Sequence, residues 1–378
     1  MDKPTPHAVA IALLDLSKAY NRGDSMVIED LSDMHVPGWI LALLCSYLSS
    51  RALVLTYQKK TSSSKDLPGG YGAGTWMGGF LFIVKFNGIC LRPQIPRPNG
   101  NKAIQLKYID DATKAASINL KRSLIPDPQP KPFPLNYHEQ TQMVIDPQED
   151  ILQIELNRFQ METTKHNFVT NKKKTVIMVF NTTKKYAFSP EFKLGDSQIL
   201  QTTNCHKILG LKVQNDFGWG EQIVQMSKKA SKTIWLLRRM KQLGIDEATI
   251  TNYWKSEGRC HLEFCAPVWS GGITVAQARD LARVQRRAVA AITGSWQEEY
   301  GAACSRLGIE ADLSARRLKL CKAFAHKTAT NSRHQDLFTR LENPRRTRVG
   351  GKVWREPPCK TRRHLQSARP YLTRLLNG

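Results

Sequence analysis

No run of about 18 apolar residues and no lipidation motif occurs in this 378-residue chain, which leaves a spanning helix or a lipid anchor without a sequence signal. Its first residues, Met1 to His7, are polar and include two prolines, so they do not read as a secretory signal peptide. The eight cysteines are scattered without the spacing of a secreted disulfide framework, and a reducing intracellular compartment is expected. Cys260, His261 and Cys265 also lack the paired spacing of a structural zinc site. The largest deficit is in acids: 32 Asp and Glu stand against 56 Lys and Arg, a net charge of +24 with a pI near 9.8. Such an excess favours a polyanionic partner through counterion release, and nucleic acid is the default. Hydrophobic residues at 41% and charged residues at 23% are otherwise those of a globular protein, long enough for two domains.

Because acids are scarce, the places where they cluster carry weight. Asp110 and Asp111 follow a short β-prone run, Ile104 to Ile109. Adjacent residues on a strand face opposite ways, so both carboxylates can serve one site only where the chain turns. A hairpin with the two acids at its tip is expected. Like charges that close call for a cation between them. Upstream, the apolar run from Ile11 ends in Asp15, as expected of a buried strand with a carboxylate at its end. Three carboxylates on neighbouring strands, Asp15, Asp110 and Asp111, would supply the hard oxygen ligands of Mg²⁺. Paired ions of that kind clamp the attacking and leaving oxygens of a phosphoryl transfer.

These stretches resemble the polymerase region of reverse transcriptases from non-long-terminal-repeat, LINE-type retrotransposons. Leu14 to Tyr20 matches the family's first palm motif, and Tyr108-Ile109-Asp110-Asp111 its aromatic-x-Asp-Asp motif. Gly69 to Phe82 aligns without gaps on the block Gly-Gly-x-Pro-Gln-Gly-Ser-x-x-Gly-Pro-x-x-Phe, although Gly72-Ala73-Gly74-Thr75 replaces Pro-Gln-Gly-Ser. Asn171 to Thr175 resembles an Asn-x-x-Lys-Thr block, and Lys207 to Gly210 a Lys-x-Leu-Gly block. The resemblance implies an RNA-directed DNA polymerase. Asp15, Asp110, Asp111 and Lys174 would be catalytic, with Asp15, Leu16, Asp110 and Asp111 holding Mg²⁺, or Mn²⁺ in its place. Tyr20, at the steric-gate position, and Gly74 would contact the incoming nucleotide. The partners implied are an RNA template, a DNA primer and deoxynucleoside triphosphates, in a ribonucleoprotein of cytoplasm and nucleus, with no membrane. Only 14 residues precede Asp15, so a fragment is expected, with fingers and endonuclease regions supplied by a longer parent chain.

The expected fold is α+β: a right-hand polymerase palm over 1–218, an antiparallel sheet with helices on one face. A helical, thumb-like region follows over 219–340, then a basic, loosely ordered tail over 341–378. Helices are expected at Met26 to Met34 and Trp39 to Leu48, broken at Pro37, and at Leu152 to Lys165. Ile223, Met226, Ala230, Ile234, Leu237 and Met240 mark one face of a long helix. Val275 to Ile292 is a second, carrying Arg283, Arg286 and Arg287 as nucleic-acid contacts. Proline-rich insertions at Arg92 to Lys102 and Ile125 to Pro134 flank the Asp-Asp hairpin. Three other readings stay open: a catalytically dead relic that binds nucleic acid, a two-metal nuclease, and a basic RNA-binding scaffold.

Overall fold

The structure, a computed structural model, describes residues 7–23, 25–67, 69–72, 75–89, 104–108, 111–119, 151–180, 191–195, 198–331, 334, 337–342, 353–359 and 362–377. Asp110, Gly74 and both proline-rich insertions lie outside them. The chain divides into two compact units, Met1–Asn204 and Cys205–Gly378.

The first unit is built on strands β1 (His7–Leu14), β2 (Ala52–Leu53), β3 (Thr56–Tyr57), β4 (Lys60–Thr61), β5 (Lys65–Asp66), β6 (Ile104–Tyr108) and β7 (Asp111–Asn119). After them come β8 (Val176–Phe180), β9 (Lys193–Leu194), β10 (Gln198–Ile199) and β11 (Gln201–Thr202). Five form the main sheet, in the order β11-β8-β1-β7-β6. Three of its four pairings are antiparallel, as expected, but β11 joins β8 in parallel, so the sheet is mixed. Residues 52–57 form two short pieces in small two-stranded pairs, β2 with β5 and β3 with β4.

Helices α1 (Val27–Asp33), α2 (Gly38–Leu48), α3 (Trp76–Gly88) and α4 (Ile151–Lys165) complete the unit. Pro37 separates α1 from α2 as its missing N–H and fixed φ demand. One face of the sheet is lined by Ala10, Ala12 and Leu14 of β1, Ala112 and Ala116 of β7, and Ile177 and Val179 of β8. The small alanines leave room for Leu152, Leu156 and Phe159 of α4 and for Leu81, Phe82 and Phe86 of α3, all in one core. Two buried lysines tie helices in place: Lys85 of α3 to Asp30 of α1 at 2.9 Å, and Lys114 of β7 to Glu155 of α4 at 2.7 Å.

The second unit opens with the hairpin β12 (Cys205–Ile208) and β13 (Leu211–Gln214), which the sequence reading assigned to the first domain. It belongs here because Gln222 of the next helix accepts the Lys212 N–H (2.8 Å) and Leu211 enters this unit's core. The turn residues Leu209 and Gly210 both have positive φ, 46° and 89°, the backbone of a two-residue hairpin loop. The helices are α5 (Gly220–Gln242), α6 (Glu247–Tyr253), α7 (Arg259–Glu263), α8 (Ala266–Trp269), α9 (Val275–Thr293), α10 (Tyr300–Arg306), α11 (Leu313–Thr330), α12 (Arg362–Gln366) and α13 (Ala368–Leu376).

The buried stripe of α5 is Ile223, Met226, Ala230, Ile234 and Leu237. Gly244, in the left-handed region, ends the helix, and the Asp246 carboxylate caps α6 by accepting the Thr249 N–H. Helix α9 is bounded by a Thr274–Gln277 capping box and by Gly294 in the left-handed region. Trp254 and Trp269 are fully buried at the centre. Trp254 lies on Gly258, where any Cβ would fall inside its ring. Residues 362–376 correct the expected loose tail: Leu372 is buried, and the Asn377 side chain accepts the N–H groups of Val353 and Trp354. The many arginines concealed this apolar face.

Candidate functional site

Asp15 follows the last residue of β1. The β1–β7 pairs run from His7 opposite Asn119 to Leu14 opposite Ala112, and one further step sets Asp15 level with Asp111. Strands β6 and β7 pair down to Tyr108 opposite Asp111, beside the end of β1. The fold thus brings the main chain of Asp15 and of Asp111 to one end of the sheet.

The loop before β8 holds Asp15 from the other side. The Asp15 carbonyl accepts the Asn171 N–H at 2.7 Å, and its N–H donates to Thr175 Oγ1 at 3.3 Å. Ser17 N–H donates to the Val169 carbonyl, framing an isolated bridge between Leu16 and Thr170. In such a wide pair the bonds come from the flanking residues, so the Leu16 carbonyl stays outside this bridge. The Thr170 hydroxyl is fixed to Gln160 of α4 at 2.7 Å. Thr175 and Asn171 thus set the backbone of Asp15, a role their spacing in the sequence does not reveal. Thr175→Val, which removes the acceptor from a buried position, should lower stability by about 1–3 kcal/mol. Thr175→Ser should lose less, as read from urea unfolding; equal losses would show that packing of the methyl group decides.

The side chains show an incomplete balance of charge. Asp15 Oδ2 is out of contact with solvent and has no hydrogen-bond partner among the described residues. Its nearest cation is Lys174 Nζ at 3.9 Å, too long for a hydrogen bond, and that side chain is 71% exposed. A carboxylate oxygen in this condition is poised for a further cation. Among the described residues no three His, Cys, Asp and Glu side chains are grouped to hold a metal, and Asp110 lies outside them.

Tyr20 sits in a short 3-10 turn, Ala19–Arg22, half-buried with its ring 4.7 Å from that of Phe82. Phe82 also stacks on Phe86 and meets Phe168 edge-on, so Tyr20 is one end of an aromatic cluster. In the glycine block, Thr75 caps α3 by accepting the Gly78 N–H at 3.0 Å and donates its hydroxyl to the Gly72 carbonyl at 2.8 Å. A Cβ on Gly78 would lie 2.3 Å from that same carbonyl, so this glycine is required by close approach.

In the second unit Arg283, Arg286 and Arg287 are exposed on α9 but meet different neighbours. Arg283 and Arg287 line a groove against α5. Arg286 lies over the Tyr300 ring at 5.1 Å and lines a separate cleft with Tyr300 and Ala311. No helix among the described residues is long and apolar enough to cross a membrane.

Comparisons with protein-family models and with curated proteins return no match. Among solved structures, the telomerase of Candida tropicalis in complex with a TWJ fragment of telomeric RNA aligns at 9% identity and a TM-score of 0.35, over 89% of this chain and 49% of that one. The corresponding Candida albicans complex aligns at 9% and 0.28, over 88% and 50%, and apo Candida tropicalis telomerase at 9% and 0.31, over 87% and 51%. The chain spans about half the length of these structures. TM-scores of this size do not establish a shared fold.

Proposed function

We propose that the Met1–Asn204 unit is the palm of a nucleotidyl-transfer enzyme of the reverse transcriptase kind, from a LINE-type element, whose reaction is RNA-directed DNA polymerisation. The supporting observation is the register that sets Asp15 level with Asp111, with Asp15 Oδ2 buried and unpartnered among the described residues. That orphaned carboxylate oxygen is a hard donor of the kind Mg²⁺ takes. Asp15, Asp110, Asp111 and the Leu16 carbonyl would hold the metal, which when bound supplies charge stabilisation for phosphoryl transfer. The chain's own groups do the rest. Lys174, already beside Asp15, is placed to give a proton to a departing pyrophosphate. Tyr20, fixed by Phe82, would fill the space of a ribose 2′-hydroxyl. The basic second unit, acting as a thumb, would hold template and primer by their phosphates.

A second reading, a relic that binds nucleic acid without polymerising, is favoured by the Gly72-Ala73-Gly74-Thr75 block, which lacks the glutamine expected to orient the templating pair. Primer extension on an RNA template separates the two. Mg²⁺- or Mn²⁺-dependent extension that disappears in Asp110→Ala supports the polymerase. Primer–template binding without extension by either protein supports the relic.

A further inference from the structure

We infer that the groove between α5 and α9 is a track for one strand of single-stranded nucleic acid. The inference rests on second-unit residues alone and does not depend on the carboxylate site. The two helices run in the same direction, since Gln277 lies against Gly220 at one end and Lys241 against Gly294 at the other. Between them is a groove of about 610 Å³. Lys228 and Lys232 stand on its α5 wall, Arg283 and Arg287 on its α9 wall, above a floor that includes Ile223 and Val284.

Each wall places its two cations four residues apart, a rise of about 6 Å, so the groove carries two successive cross-pairs of positive charge. Arg283 is held by Asp280 at 3.0 Å, whereas Lys228, Lys232 and Arg287 are in no ion pair among the described residues. Their charge is free to neutralise phosphates. The Ser227 hydroxyl, which has no partner among the described residues, lies beneath the same groove, out of contact with solvent.

Aromatic content selects the kind of nucleic acid. Along α5, Lys228, Lys232, Trp235 and Arg239 are all exposed at spacings that keep them on one edge. Trp235, 71% exposed, therefore stands one turn beyond the last cross-pair, where an unpaired base can stack. An acidic peptide would find the same charges but no use for that ring.

The test uses the full chain and a fluorescein-labelled single-stranded RNA 12-mer, followed by anisotropy across a salt series. Lys228→Gln/Lys232→Gln/Arg283→Gln/Arg287→Gln should weaken binding at least about tenfold and lower the slope of log K against log salt by about 3. All four side chains are exposed and glutamine is a good helix former, so the circular dichroism melt should hold. Trp235→Ala should weaken binding by roughly tenfold and Trp235→Phe should restore most of it. The control Lys59→Gln/Lys60→Gln/Lys65→Gln/Lys322→Gln removes equal charge elsewhere and should change affinity by no more than about threefold. The readout is binding without added metal or nucleotide, which keeps this outcome separate from that of the polymerase reading. The inference is overturned if the control loses as much as the groove variant. It is equally overturned if polyglutamate displaces the labelled strand as well as the strand itself does, or if the groove variant loses as much affinity for duplex RNA as for the single strand.

Discussion

Lys114→Met should destabilise the chain by about 3–5 kcal/mol, the cost of leaving a buried charge without its partner. Lys114 is 0% exposed and Glu155 9%, and their 2.7 Å contact joins the centre of the sheet to α4. The lysine also lies over the Phe159 ring at 5.8 Å, in the layer that covers the sheet. After the substitution Glu155 keeps only Arg158, at 3.8 Å. That contact is too long to replace a charge-assisted hydrogen bond. Attraction within a buried pair roughly offsets the desolvation of both ions, so an apolar pair of similar volume should serve nearly as well. Lys114→Met/Glu155→Leu is therefore expected to recover most of the loss. Urea unfolding of the wild type, both single variants and the double variant gives the coupling directly. A Lys114→Met chain within about 1 kcal/mol of wild type would mean that the pair is solvated in the folded protein.

That pair also shows where the sequence stops being legible. Strand β7, Asp111–Asn119, turns Ala112, Lys114 and Ala116 toward the core, so its buried face carries a charge and two of the smallest apolar side chains. No hydrophobic alternation announces such a strand. By contrast β1 ends where its apolar run meets Asp15, and α9 was readable at both ends because its caps are local chemistry. The parallel edge strand β11 is two residues long, too short to carry a period.

The site divides in the same way. Asp15 was visible as an acid after an apolar run, but its hold on Thr175 joins residues 160 apart in sequence, and no local pattern encodes that. Arg283, Arg286 and Arg287 looked equivalent on a helical repeat. Only packing against α5 on one side and Tyr300 on another separates them. Residues 362–376 read as a basic tail because arginines outnumber the few positions, Pro370, Leu372 and Thr373, that are buried.

Asp15→Asn should separate function from stability. Asp15 Oδ2 sits out of solvent with no hydrogen bond among the described residues, and Lys174 at 3.9 Å is mostly exposed, so the wild-type carboxylate contributes little to folding. Asparagine keeps the volume and removes the charge. Without added metal, Tm should be unchanged or higher by about 2–4 °C. The wild type should gain stability when Mg²⁺ is added, since a ligand that binds only the native state stabilises it by mass action. At ten times its dissociation constant that gain is about 1.4 kcal/mol. Asp15→Asn should lose this response. Where the wild type extends a primer, the variant should be slower by roughly 10³-fold, the rate equivalent of about 4 kcal/mol of charge stabilisation. A relic that still binds metal would show the Mg²⁺ shift in Tm without extension, and Asp15→Asn would abolish the shift. If the variant keeps both the Mg²⁺ shift and the wild-type extension rate, Asp15 is not a metal ligand and the palm assignment fails with it.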